Sequence, residues 1–234
     1  MPPLPPPLAS AFLRATSGGP KRERTQARLL RAAVTVICER GLAAATMQQV
    51  AQAAEVTPAT LYNHFSTKEL LVERLAAALA ESLCRAINDS YAHIDDAAER
   101  MAIGQRRYVG LAAESPAWAL LLLDVMTASP AVLAAIEQYP LADLRAGIRQ
   151  KKFKVPSEAA AMDAIAGICT SAMRKVALGL APARHDVACA ALVLRALGVA
   201  PEVADQIASR PLPPLDPDQA PSIASGRKRA TVRR

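Results

Sequence analysis

Apolar residues recur every three to four positions through most of this chain, in long windows filled with Ala, Leu, Arg, Glu and Gln. Nowhere do apolar and polar residues alternate as in a half-buried strand, and runs of β-branched residues are absent. High helix propensity at helical spacing predicts an all-α fold. Of 234 residues, 52% are hydrophobic but only 3% aromatic, so the core must be built from Ala, Leu and Val. That content is too apolar for a disordered chain, and no Gly-X-Y period suggests a fibre. The four scattered cysteines make no disulfide scaffold and are expected as thiols. The clean apolar runs are short, Ala117 to Leu123 having seven residues and Val187 to Leu194 eight, against the roughly 20 that span a bilayer. No membrane partner is expected. The start, MPPLPPPLASAFLRA, has no basic residue ahead of its apolar stretch and makes a poor signal peptide, so a cytoplasmic location is expected.

Prolines and charge divide the chain. Six of 18 prolines lie in residues 2–20 and five in 211–221, and both segments read as disordered arms: 1–20, and a basic tail over 211–234. Most of the rest stand where helices begin, since the first helical turn needs no Pro N–H. The formal net charge is +7, but residues 76–225 hold 14 bases against 16 acids, while 21–75 hold eight against five and the last nine residues hold five bases and no acid. Basic character at one end of the folded part suggests a polyanion partner. Helices are expected over about 22–40, closed by Gly41, then from Thr46, Thr57 and Thr67, each a plausible N-cap. Further helices are expected near 95–114, 117–127, 130–150, 157–179, 183–198 and 201–209.

Residues 46–65, TMQQVAQAAEVTPATLYNHF, read as two short helices around a tight turn. Val50, Ala51 and Ala54 can pack against Val56 and Leu61, and Ala51 is small where two backbones cross. The second helix presents Ala59, Thr60, Tyr62, Asn63 and His64, short or polar groups with almost no charge, where a solvated helix of this chain would carry Lys, Arg or Glu. Side chains that donate, accept or offer a methyl suit the base edges of a major groove. The pattern is that of a helix-turn-helix.

Residues 22–75 resemble the N-terminal DNA-binding domain of the TetR family of bacterial transcriptional regulators. The resemblance rests on ERG at the end of the first helix, T-x-x-x-V-A-x-x-A-x-V, T-P-A-T-L-Y-N-H-F and S-T-K-E-L-L. It departs at Glu55, where the family usually has Gly, so that either this residue takes a left-handed or strained backbone or the turn is arranged differently. The resemblance implies double-stranded DNA as partner and assigns roles residue by residue. Thr46 and Lys68 would meet phosphates, and Gln48, with Gln49 beside it, a base edge or phosphate. Thr57, Ala59, Thr60 and Asn63 would enter the groove; Tyr62 and His64 would touch the backbone. Leu61 and Phe65 would anchor the helix, and Arg22 and Arg24 brush the neighbouring backbone. Taken singly, Tyr62 reads more often as a half-buried core residue and Lys68 as a solvated lysine, while His64 reads about equally as packing beside Phe65.

The resemblance further implies a helix-turn-helix domain over 21–67 and a larger helical domain over 68–210 that binds a small-molecule effector and forms a homodimer. Stripes of Ile165, Ile168, Ala172 and Val176, and of Val187, Ala190, Leu194 and Leu197, are the expected dimer face, unless they complete each protomer's own core. Larger side chains in the Ala-rich background are the pocket candidates: Tyr91, Met101, Tyr108 and Trp118, with Leu122, Met126, Met162 and Met173. They favour an apolar or aromatic effector; Arg106 and Arg107 fit a solvated face better than an anion site. The three histidines lack metal-ligand spacing, and no CxxC pair, phosphate-cradling Gly loop or GxSxG elbow is present. No catalytic residue, metal or cofactor is expected. The reading is a ligand-responsive repressor of a palindromic operator, with an activator as its variant. The alternatives are a nucleoid-type protein that coats DNA and an enzyme with an unrecognised site.

Overall fold

The computed structural model describes residues 3–17 and 20–215, which form eleven α-helices and no strand. In order they are α1 (Pro6–Ala15), α2 (Lys21–Arg40), α3 (Met47–Ala53), α4 (Pro58–His64), α5 (Lys68–Ser90), α6 (Ala97–Glu114), α7 (Pro116–Ala128), α8 (Pro130–Arg149), α9 (Glu158–Ala177), α10 (His185–Ala196) and α11 (Pro201–Ala208). Side-chain caps set many of the starts. Thr57, Thr67 and Ser157 accept from the third residue beyond, and Asp96 accepts from Ala98 and Glu99, each satisfying N–H groups that the helix itself leaves unpaired. Pro58, Pro116, Pro130 and Pro201 each stand in a first turn.

The helices α2, α3 and α4 pack as a small unit whose core, Leu29, Ala33, Ile37, Val50 and Leu61, runs without a break into that of α5, α7 and α8 through Leu75, Leu79, Trp118 and Leu122. A second core joins α6, α9, α10 and α11 around Met101, Ile165, Ala190, Leu194 and Ala208. Because α5 lines the first core along its length, it is the element shared by the two parts of the molecule.

Both terminal expectations need correction. The segment 1–20 is not a disordered arm where it is described: residues 6–15 form α1, which packs on α5 with Leu4, Leu8 and Phe12 buried. Leu4, Leu8 and Phe12 recur every four residues, the spacing of one helix face, and Pro6 stands in the first turn where its missing N–H costs nothing. Residue 16 is tied down as well, since Arg31 donates to the Thr16 carbonyl at 2.6 Å. At the other end, Leu212 and Leu215 pack against the core, and Arg107 donates to the Pro213 carbonyl. The rest of the expected tail, 216–234, lies outside the described residues. Arg106 and Arg107 therefore do not sit on a solvated face: Arg106 pairs with Asp186 at 3.0 Å and reaches the Arg210 carbonyl at 2.6 Å.

The stripes expected to form a dimer face are also turned inward. Ile165, Ala172, Ala190, Leu194 and Leu197 are buried within one protomer, because α9 and α10 both pack against α6. What these helices leave exposed is the opposite side, Gly167 and Ser171 on α9 and Ala188 and Leu192 on α10.

Candidate functional site

The turn between α3 and α4 is built by its own backbone. The N–H of Val56 donates to the Ala51 carbonyl and that of Glu55 to the Gln52 carbonyl, both at 3.0 Å. This is a Schellman closure, which needs a left-handed residue just past the helix. Glu55 supplies it with φ of 52°, so the position where the sequence lacks the expected Gly keeps the turn and bears the strain. Thr46 and Gln49 form a reciprocal capping box, with the Thr46 hydroxyl accepting from the Gln49 N–H at 3.3 Å and the Gln49 side-chain oxygen accepting from the Thr46 N–H at 3.0 Å. Gln49 is thereby committed to the cap, whereas Gln48 is exposed.

Within α4 only Leu61 is buried, and Phe65 just after it closes the core. Thr57, Ala59, Tyr62 and Asn63 are exposed and Thr60 and His64 half-buried. The Thr57 hydroxyl accepts from the Thr60 N–H at 3.2 Å and lies 2.9 Å from the Thr60 hydroxyl. Tyr62 is 49% exposed, so the core reading of this residue fails. The His64 ring lies tilted beside Phe65 with centroids 6.4 Å apart. Lys68 donates to the Ala43 carbonyl at 3.0 Å, which fixes its ammonium beside the turn before α3, with further N–H donors to spare. The result is one outward, nearly uncharged face on α4, with Thr46 and Lys68 close together at the start of α3.

A cavity of about 80 Å³ lies among α5, α6, α8 and α9. It is about six times the space one water needs, so it suits a single small ring. Tyr91, Met101, Tyr108, Met126 and Met173 of the expected set line it. Trp118, Leu122 and Met162 do not: the first two are sealed in the core beside α5, and Met162 packs against the core shared with α10 and α11. The strongly apolar α7 buries Trp118 and Leu121–Leu123 against neighbouring helices, leaving only its end, at Met126, to reach the cavity.

The polar part of the wall could not be anticipated. Arg100 donates from Nε to Asp143 at 2.7 Å, and Tyr91 donates its hydroxyl to the other Asp143 oxygen at 3.0 Å. Burial raises the Asp143 carboxyl above its ordinary value, with the Arg100 and Tyr91 contacts working against that rise. Burial also raises the Tyr91 and Tyr108 hydroxyls, which keeps both as donors. The Cys84 thiol, hydrogen-bonded to Tyr108, is pushed up to about 12 by burial, and burial takes Cys169 to about 12 as well. Gln105 is only 5% exposed and spends its amide N–H on the Ile165 carbonyl at 3.2 Å. The spacing of Met101, Gln105 and Tyr108 on one helix face was the available signal for Gln105; nothing local signals a pair 43 residues apart such as Arg100 and Asp143. Among the described residues no cluster of His, Cys, Asp or Glu could hold a metal ion, and no single helix is long and apolar enough to cross a membrane.

Comparison with known proteins places this geometry. The family model for bacterial regulatory proteins of the tetR family matches residues 29–75, and that for the tetracyclin repressor-like C-terminal domain matches 96–210. No curated protein matches the sequence. Among solved structures, RolR in complex with the ligand resorcinol superposes with a TM-score of 0.72 at 29% identity, covering 84% of this chain and 98% of its own. RolR without ligand gives 0.68 at 27% identity, over 81% of this chain and all of its own. FadR from Bacillus subtilis with stearoyl-CoA gives 0.57 at 20% identity, over 74% of this chain and 97% of its own, a likeness of fold.

Proposed function

Since the chain belongs to the TetR family of bacterial regulatory proteins, we propose that this transcriptional regulator is a homodimeric repressor released from a palindromic operator by a small effector. The observation that carries the reading is the outward face of α4, bare of charge where a solvated helix would be charged. In the complex, Thr57, Ala59, Thr60 and Asn63 face base edges, with a methyl of Ala59 or Thr60 against thymine. Thr46, whose hydroxyl oxygen already accepts the cap hydrogen bond, donates its proton to a phosphate, and Lys68, Tyr62 and His64 hold the backbone on the same flank. Gln48 reaches the groove edge from α3.

Pairing through the exposed sides of α9 and α10, at Gly167, Ser171, Ala188 and Leu192, sets two copies of α4 in successive major grooves, about 34–36 Å apart. The effector occupies the cavity lined by Tyr91, Met101, Tyr108, Met126 and Met173. The cavity volume and the likeness to RolR, which binds resorcinol, both support a compound of single-ring size. Helix α5 carries Lys68 at one end and Cys84 and Ile87 at the cavity, with Tyr91 just past its last residue. Cys84 lies 16 residues along it, about 24 Å from Lys68. Effector binding favours a conformer in which α5 is tilted and the spacing of the two α4 helices no longer fits DNA. Catalysis has no part in this reading.

Footprinting on the DNA upstream of the chain's own gene tests it. A short two-fold symmetric protected segment, lost when effector is added, is the expected result. Diffuse coverage that fades with salt would mark a DNA-coating protein and contradict the proposal.

A further inference from the structure

The cavity has a polar wall in which Arg100, Tyr91 and Thr170 donate to neighbours, while one buried acceptor, the Gln105 side-chain oxygen, has no partner among the described residues. Arg100, its one cation, gives Nε to Asp143 and one of its two terminal nitrogens to the carbonyls of Ile94 and Asp95 at 3.1 and 3.3 Å. Tyr91 gives its proton to Asp143, and Thr170 gives its own to the Ala166 carbonyl at 2.9 Å. One acceptor stands differently. The Gln105 side-chain oxygen is fully buried with no hydrogen-bond partner among the described residues. On α8, Pro140 has no N–H to give to the Ile136 carbonyl, and both residues line the cavity. Two carboxylates, Asp143 and Glu137, line it against the single guanidinium of Arg100.

A buried amide oxygen without a partner is costly unless something that enters the site satisfies it. We infer that the effector is a neutral ring compound that donates a hydrogen bond to the Gln105 side-chain oxygen, and that anionic ligands are excluded. This rests on the cavity being the effector site, and it adds the chemical class. A ring without a donor fills the same volume but leaves Gln105 unsatisfied. A carboxylate brings a third negative charge to a wall that already has two, and the single guanidinium there is already paired with Asp143. The Asp143 carboxyl, already raised by burial, is a group on which further negative charge presses hardest.

Phenol, toluene and benzoate separate these terms, since phenol and toluene share a shape and differ in the donor. Their affinities for the full chain are measured by calorimetry and by the rise in melting temperature. The expected order is phenol about tenfold tighter than toluene, in keeping with one net hydrogen bond, and benzoate without binding. Gln105→Leu is expected to level phenol and toluene. Gln105→Met is a second variant of closer shape, for use if the first does not melt cooperatively. Toluene equal to phenol, benzoate tightest, or an unchanged phenol preference in both variants overturns the inference while leaving the cavity as the effector site. Binding of none of the three overturns the cavity reading as well.

Discussion

Single residues decide the turn, the packing of the core and the groove face, and four substitutions test them. Glu55 sits in the left-handed region at φ 52°, where a side chain costs roughly 1–2 kcal/mol. Glu55→Gly is expected to raise stability by about 0.5–1 kcal/mol in a denaturant titration, the greater freedom of unfolded Gly taking back part of the gain. Gly147 is the converse case: a Cβ there would lie 2.1 Å from the Phe153 ring. Gly147→Ala should destabilise by about 1–3 kcal/mol, as overpacked core sites do. At the DNA face, Tyr62→Ala is expected to lower operator affinity about tenfold. Lys68→Ala should in addition reduce the slope of log affinity against log salt by about one. Circular dichroism of both variants checks that the fold survives, since Lys68 also holds the Ala43 carbonyl. Caps and turn were legible in the sequence because they are local: Thr57 reaches Thr60 and Thr67 reaches Leu70. The cavity wall was not, because the Arg100–Asp143 pair is made by α6 meeting α8, which no window of sequence contains.

At the scale of elements, nearly every helix start was readable, since caps and first-turn prolines mark them. The exception was α1, whose Leu4, Leu8, Phe12 stripe was hidden by proline content that ordinarily signals disorder. The dimer stripes failed for a related reason. Periodicity shows that a face is apolar, but whether it meets its own chain or a partner depends on how α9 and α10 pack against α6. The start of α6 offers a test of pH dependence. Burial acts to raise the Asp96 carboxyl, but the Lys152 ion pair at 2.5 Å and the N–H groups of Ala98 and Glu99 outweigh it and hold the group below its ordinary 3.8. A carboxyl depressed in the folded state stabilises above its unfolded value and loses that contribution as the pH falls through its folded one. Asp96→Ala is therefore expected to cost about 1 kcal/mol at neutral pH, as the loss of an N-cap does. The gap from the parent should close below pH 3.8. Urea titrations at several pH values check both expectations.

For the whole molecule, function requires two reading helices at a spacing set by a distant interface. Placing a charge on the exposed side of α10 with Leu192→Asp should give a monomer in light scattering. Operator affinity should fall at least a hundredfold while the α2–α4 unit stays folded, because one half-site must then be bound alone. The claim on which everything else stands is that the uncharged face of α4 reads bases. Selection of binding sites from random duplex DNA tests it most directly. The prediction is a two-fold symmetric consensus with half-site centres about 10 base pairs apart, which weakens when Thr57, Thr60 and Asn63 are replaced together by Ala. Recovery of no preferred sequence, or of the same consensus with the same enrichment from the triple variant, would contradict it.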